Sequence, residues 1–278
     1  MVRCISGKTK GWLNGMSESI SDNDALIERV VDVLADSGSV LFVTGAGISD
    51  DSGLPTYRGI GGLYNTEQTE DGIPIEQALA GALMEERPEL TWKYLARIER
   101  ACRGAQFNRG HEVIAAMEAH FPRVWTLTQN VDGFHRAAGA RNVIDIHGDL
   151  HDLRCLSCSY RCTVGDYSEL SFPPHCPQCK GILRPDVVLF GEMLPDDQLQ
   201  TLYQQLSQGF DVVFTVGTTS VFPYIAEPVR LAARAGLPTV EINPDTTQVS
   251  HLVDVKLSQR AAPALDAIWK RYQQRNLS

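Results

Sequence analysis

Four cysteines carry the most specific chemical signal in this 278-residue chain. Cys155-x-x-Cys158 and Cys176-x-x-Cys179 form two knuckles with 17 residues between them, a spacing suited to a four-thiolate zinc site. Each pair can offer two sulfurs from one tight turn, and Ser157, Pro177, Gln178 and Gly181 are neighbours that leave backbone amides free to bond thiolates. Four thiolates fill the tetrahedral shell of zinc, so the metal is expected to be structural, holding a small ribbon that has too little core of its own. The competing readings are two disulfides in a secreted module, which need an oxidising compartment, and ordinary buried cysteines. Residues 1 to 20 lack the apolar core of a secretory signal. Cys4, Cys102 and Cys162 fall outside the pattern.

A second group of chemically capable residues follows short apolar runs. Gly45-Ala46-Gly47 opens the stretch TGAGISDDSGLPTYR directly after Val40 to Val43. Glycines there let backbone amides approach a pyrophosphate, and a helix start behind them adds a positive dipole. The pattern is not G-x-G-x-x-G, and Asp50-Asp51 would repel a phosphate they touched, so a plain strand-to-helix turn competes with phosphate binding. Three more polar segments sit in equivalent places: Thr128-Gln129-Asn130-Val131-Asp132-Gly133, Ile146-His147-Gly148 and Val216-Gly217-Thr218-Thr219-Ser220. His147 is a candidate general base near neutral pH, although histidines after strands are more often structural. Asn130, Asp132 and Asn243 can bond sugar hydroxyls, and Asn-x-Asp and Asn-Pro-Asp are equally ordinary turns.

The elements that must position these residues follow from hydrophobic periodicity. Ala25 to Asp36 has helical spacing at Leu26, Ile27, Val30, Val31, Val33 and Leu34, and Ser37-Gly38 ends it. Val40 to Thr44, Val124 to Thr128, Val143 to Ile146, Val187 to Phe190, Val212 to Val216 and Thr239 to Ile242 read as short buried strands. Helical stretches such as His111 to Ala119 and Ile225 to Ala235 separate most of them. This alternation predicts an α/β fold with a Rossmann-like, mostly parallel sheet and helices on both faces, whose carboxyl ends converge on one crevice. The expected organisation is a discontinuous main domain (24–61, 111–150 and 184–275). A smaller lobe is expected from a helical insertion (62–110) and a zinc-binding module (151–183).

Composition narrows the function classes. The net charge of −9 and pI near 5.3 argue against a chain whose main work is gripping a nucleic-acid backbone. No apolar run approaches the roughly 20 residues of a membrane span. The expected location is cytoplasmic, or mitochondrial if the source is eukaryotic, since MVRCISGKTK is basic and free of acids. The glycines of GWLNG argue against an amphipathic helix there, and Met16 offers an alternative start.

Taken in order, GAGIS, SGLPTYRG, TQNVDGFH, IHGDL, the paired knuckles, LRPDVVLFGE and VGTTS resemble the sirtuin family of NAD-dependent protein-lysine deacylases over residues 40 to 245. The resemblance implies a Rossmann-type domain with a zinc-bearing small lobe, NAD as co-substrate and one structural Zn2+. It also implies an acyl-lysine protein segment, bound extended in the cleft between the lobes, and a monomer. His147 would be the base toward the nicotinamide-ribose hydroxyls once the acyl oxygen has displaced nicotinamide, with Asn130 and Asp132 lining the nicotinamide pocket and ribose. Gly45, Ala46, Gly47, Asp51, Tyr57, Arg58, Gln129, Gly217, Thr218, Ser220 and Asn243 would contact NAD, and Val188, Phe190 and Gly191 the substrate. Tyr57 and Asp50 depart from the usual Phe and Ala.

Tyr94-Leu95-Ala96-Arg97 raises the question of acyl choice, because positions i and i+3 share a helix face. A phenol and a guanidinium aimed together into the acyl pocket would favour succinyl, malonyl or glutaryl groups through a bidentate carboxylate contact. Glu89, Lys93, Glu99 and Arg100 support the alternative of a solvated helix surface. Rival functions are a mono-ADP-ribosyltransferase or NAD hydrolase in the same cleft, and a non-catalytic NAD-sensing zinc-ribbon adaptor.

Overall fold

A computed structural model describes residues 11–54 and 69–276. Tyr57 and Arg58, for which contacts with NAD were expected, lie outside the described residues. The strands are β1 (Ser39–Thr44), β2 (Arg123–Thr128), β3 (Val143–Asp145), β4 (Gly148–Cys155), β5 (Arg161–Thr163), β6 (Leu183–Val187), β7 (Val212–Val216), β8 (Thr239–Ile242) and β9 (Val255–Leu257). The helices are α1 (Gly11–Ala35), α2 (Ile75–Ala78), α3 (Gly81–Glu86), α4 (Pro88–Cys102), α5 (Arg109–His120), α6 (Phe134–Ala137), α7 (Asp196–Ser207), α8 (Pro223–Arg234) and α9 (Ala261–Asn276).

Six strands form one parallel sheet in the order β3-β2-β1-β7-β8-β9. Its strands are apolar on both faces because both faces are covered. Val40 and Phe42 of β1 face a core built with α1, α5 and α9, while Leu41 and Val43 face a second core with α7 and α8. The connection reverses direction between β1 and β7, so their carboxyl ends part and leave a crevice at the switch point.

The second lobe is a three-stranded antiparallel sheet, β5-β4-β6, capped by α2 to α4. Trp92 of α4 is fully buried against it and donates its indole N–H to the Leu183 carbonyl at 2.9 Å. The small sheet runs from Gly148 to Val187, a few residues past 151–183 at either end.

Three expectations differ from the structure. The run Val187 to Phe190 is not a strand of the main sheet. The strand is Leu183–Val187 in the small sheet, and residues 188–190 leave it as an extended segment. An apolar run marks burial, not which sheet covers it. Helix α1 begins at Gly11, so the GWLNG segment is helical despite its glycines. Each glycine costs about 1 kcal/mol in a helix, and propagation from the packed Asp24–Ala35 part needs no new nucleus. Strand β9 was not anticipated, because Val-Lys-Leu is too short to carry a period.

Candidate active site

The crevice opens into a cavity of about 680 Å³. From the main sheet, Gly45, Ala46 and Gly47 after β1, Gln129 and Asn130 after β2, Gly217 and Thr218 after β7, and Asn243 after β8 line it. From the lobe junction come His147, Val188, Phe190 and Gly191. Most of the residues singled out in the sequence therefore meet at one place.

The glycines serve a contact that the sequence does not spell out. The Gly47 amide donates to the Gly217 carbonyl at 2.8 Å, and the Gly45 amide donates to the Val216 carbonyl at 3.1 Å. A Cβ on Gly47 would lie 2.7 Å from the Gly217 Cα, and Gly217 itself has φ of +59°. The loop after β1 thus lies backbone against backbone on the turn after β7, where no side chain fits. Asn108 secures the loop from below. Its side-chain amide donates to the Ile48 carbonyl at 2.7 Å and to the Ser52 hydroxyl at 2.9 Å, while its oxygen caps α5 by accepting from the Gly110 amide. Sequence reasoning missed Asn108; the signal that could have found it is a capping residue type just ahead of the helical stretch His111 to Ala119.

His147 is held by both nitrogens. Nδ1 lies 3.1 Å from the Gln129 carbonyl, which can only accept, so Nδ1 carries the proton and Nε2 of the neutral ring is a free base. Nε2 lies 2.7 Å from the Tyr224 hydroxyl. Burial lowers the His147 pKa below its ordinary value, only partly offset by the Gln129 carbonyl. A neutral, oriented imidazole facing a cleft is equipped to take a proton. Gly148 beside it has φ of +79°, and a Cβ there would meet the Asp186 carbonyl oxygen at 1.9 Å, so only glycine permits the crossing into β4.

Asn130 donates to the Gly45 carbonyl and the Ser49 hydroxyl, both at 3.2 Å, and Gln129 donates to the Thr218 hydroxyl at 2.7 Å. Asn243 donates to the Thr218 carbonyl at 3.1 Å. These bonds tie the ends of β1, β2, β7 and β8 into a polar floor.

Five predicted contact residues are placed differently. Asp132 accepts from the Ser49 hydroxyl at 2.7 Å and the Phe134 amide at 3.0 Å, and faces a separate cavity of about 160 Å³ with Glu99, Cys102 and His151. Its carboxyl pKa is raised by burial. Asp51 does not line the main cavity: it accepts from the Ala262 amide at 2.9 Å and pairs with Arg260, while Asp50 reaches the cavity wall. Ser220 is buried with φ of +55° and also lies off the wall. Tyr94 and Arg97 are not among the described residues that line the main cavity. The Tyr94 hydroxyl bonds Asp71 and the Arg97 guanidinium pairs with Glu70 at 2.6 Å, in a network that Lys93 completes. Leu95 and Ile98, one residue further along the same helix, line the cavity instead. The reason is rotational, since one residue on a helix is about 100°. The acidic turn Glu70-Asp71 supplies the partners of both: the Tyr94 ring is buried in the small-lobe core with its hydroxyl on Asp71, and the half-exposed Arg97 pairs with Glu70.

Phe190 and the segment around it are fixed from both sides. Its backbone pairs with Leu79 and Gly81, each at 3.0 Å. Arg184, 2% exposed, donates to both carboxylate oxygens of Glu192 (2.5 and 3.0 Å) and to the Val187 carbonyl, and Glu192 also accepts from the Leu189 amide at 2.8 Å. This buttress shapes residues 187–192 along the cavity.

The four cysteine sulfurs of the small lobe lie within 4.8 Å of one another. Cys155 and Cys179 are 3.4 Å apart, and Cys158 and Cys176 are 3.6 Å apart. Tetrahedral zinc with Zn–S bonds of about 2.3 Å places its sulfurs about 3.8 Å apart, so the donor set fits that ion. The Ser157 and Gly181 amides donate to Cys155 and Cys179 sulfurs at 3.3 and 3.4 Å, as bound thiolates require. The site lies in the small lobe, and none of the four sulfur residues lines the main cavity.

A parallel sheet with a polar floor at its switch point, a neutral histidine at the wall and a zinc-ribbon lobe closing over it define an NAD-using enzyme with a two-lobed cleft. The Sir2 family model matches residues 45–223, and the chain belongs to the Sir2 family. It is 50% identical over 243 residues to NAD-dependent protein deacylase 2 of Pseudomonas aeruginosa, covering 86% of this chain and 94% of that protein. It is 36% identical over 242 residues to NAD-dependent protein deacylase 1 of Archaeoglobus fulgidus, covering 87% and 96%. Among solved structures, a Sir2 homologue in complex with NAD superimposes with a TM-score of 0.80 at 33% identity, covering 89% of this chain and 94% of the other. A Sir2 mutant with a deacetylated p53 peptide and 3'-O-acetyl ADP ribose gives 0.79 at 26% identity, covering 88% and 98%.

Proposed function

We infer that this chain is an NAD-dependent protein-lysine deacylase whose acyl pocket selects uncharged groups. The observation that carries the reading is His147, neutral and proton-free at Nε2, on the wall of a cavity at the switch point of the sheet. NAD supplies an electrophilic anomeric carbon and a leaving nicotinamide. Asn130 and Gln129 fix the polar floor on which the ribose would rest, and the loop at Gly45 to Gly47 presents backbone to the phosphates. His147 accepts the proton of a ribose hydroxyl at Nε2, so that the oxygen can attack the acyl carbon; placing both partners in one cleft removes most of the entropic barrier. The products are free lysine, nicotinamide and O-acyl-ADP-ribose.

Apolar Leu95 and Ile98 beside Leu189 and Phe190 support acetyl and other neutral acyl chains, since a carboxylate buried against these four side chains gains no partner from them. The test is mass spectrometry of one lysine peptide, carried in acetyl and succinyl forms, after incubation with NAD. Removal of acetyl at least ten times faster than succinyl, with O-acetyl-ADP-ribose formed, is the expected result. Faster succinyl removal would overturn the pocket assignment and leave the deacylase standing. ADP-ribose on the peptide without acyl transfer would overturn the deacylase reading itself.

A further inference from the structure

We propose that Tyr224 is a catalytic residue that carries the proton between the ribose hydroxyl and His147. The proposal rests on the reading of His147 as the base. With Nδ1 committed to the Gln129 carbonyl, the ring has one basic position, Nε2, and the Tyr224 hydroxyl occupies it at 2.7 Å. The bond has one polarity in the neutral pair: the phenol donates and the imidazole accepts.

Tyr224 and His147 both line the main cavity, so the bonded pair borders the space that the substrate enters. The phenol is also held in place. Its ring stacks on Phe222 with centroids 5.6 Å apart and planes within 15°, and both rings stand nearly perpendicular to the imidazole, at 82° and 87°. In the relay, a hydroxyl arriving from the cavity bonds the phenol oxygen, which already occupies Nε2. The phenol oxygen has lone pairs to accept from that hydroxyl while its own proton points at the base.

The transfer balances without a further reactant. The ribose O–H bond breaks and its proton passes to the phenol oxygen as the phenol O–H proton passes to Nε2. Tyr224 ends as it began, His147 becomes imidazolium, and the ribose oxygen is left as the nucleophile. Burial pushes the phenol up to about 12, so it enters the step protonated at neutral pH.

The experiment compares wild type, Tyr224→Phe and His147→Ala in two assays, deacylation of an acetyl-lysine peptide and exchange of labelled nicotinamide into NAD in the presence of that peptide. Exchange reports displacement of nicotinamide by the acyl oxygen, a step that needs no base. Tyr224→Phe keeps the ring stack and removes one oxygen, and a melting curve confirms its fold. The expected result is a fall of roughly 10- to 100-fold in deacylation kcat, within the range for a lost acid–base contact, with exchange within about twofold of wild type. Deacylation within twofold of wild type would mean that the substrate displaces the phenol, and would overturn the relay. A parallel loss of deacylation and exchange would make Tyr224 a scaffold residue and overturn it equally. His147→Ala separates the two readings: if it is inactive in deacylation while Tyr224→Phe is not, only the relay fails, and if it stays active, the base assignment fails.

Discussion

Glu192→Gln offers the sharpest test of how the cavity wall is held. The substitution keeps the shape of the side chain and removes its charge, leaving the 2% exposed Arg184 guanidinium without an anionic partner. Breaking a fully buried pair costs about 3–5 kcal/mol. Glu192 is 27% exposed at its side chain, and the amide oxygen of Gln can still accept one bond, so the expected loss is nearer 2 kcal/mol. For a chain of this size, that is a fall in Tm of about 4–8 °C. The carboxyl of Glu192 has its pKa lowered against the opposing pull of burial, chiefly by the Arg184 bonds and the Leu189 amide. A depressed carboxylate stabilises the fold above its unfolded value of about 4.3 and loses that contribution as pH falls through the folded value. The gap between wild type and variant should therefore be full at pH 7 and close below about pH 4. Urea unfolding at several pH values measures it, and the KM for peptide should rise because residues 187–192 lose their support. A variant within about 0.5 kcal/mol of wild type at pH 7, or a gap that does not change with pH, would refute the assignment of this stability to the ion pair.

Other consequences follow from the same geometry. Because burial lowers the His147 pKa and the base must be neutral, the acidic limb of the kcat profile should lie below the ordinary histidine value near 6.5; a limb above 7 would contradict it. Chelation should release one zinc per chain and lower Tm by several degrees while peptide KM rises, since the ribbon carries the lobe that closes the cleft; metal analysis beside calorimetry checks both. Trp92→Ala should cost about 3–5 kcal/mol, because it empties the centre of the small-lobe core and leaves the Leu183 carbonyl unpaired, and denaturant unfolding would detect it.

The sequence carried the main sheet well because both of its faces are covered, which writes each strand as an unbroken apolar run. The same cause misled at Val187 to Phe190, where the apolar residues belong to the small lobe and the cavity wall. The clustering of the four cysteines was legible from spacing alone, since two residues between paired cysteines already fix a turn. The site was legible in its strand-end positions and less so in its orientations. Asp51 was expected to contact NAD, yet it bonds the Ala262 amide from the far end of the chain and does not line the cavity. Tyr94 and Arg97 share a face, but their partners are Asp71 and Glu70, 23 and 27 residues away. Tyr224 was invisible as chemistry, because no local pattern says that a tyrosine in Phe-Pro-Tyr will meet a histidine 77 residues earlier.

The seam between Gly45, Gly47 and Gly217 has a consequence for how this protein can change over time. In an ordinary core contact, an enlarged side chain can be accommodated by shrinking its neighbour, so sequences drift along compensated paths. Here all three positions already carry hydrogen, and nothing smaller exists to offer in return. Gly47→Ala is expected to cost about 1–3 kcal/mol by overpacking, and no substitution at Gly217 can rescue it, because the obstruction is the Gly217 backbone itself. The seam is thus a dead end for compensation: a lineage that alters it must rebuild the turn after β7, and with it the cleft, in one step.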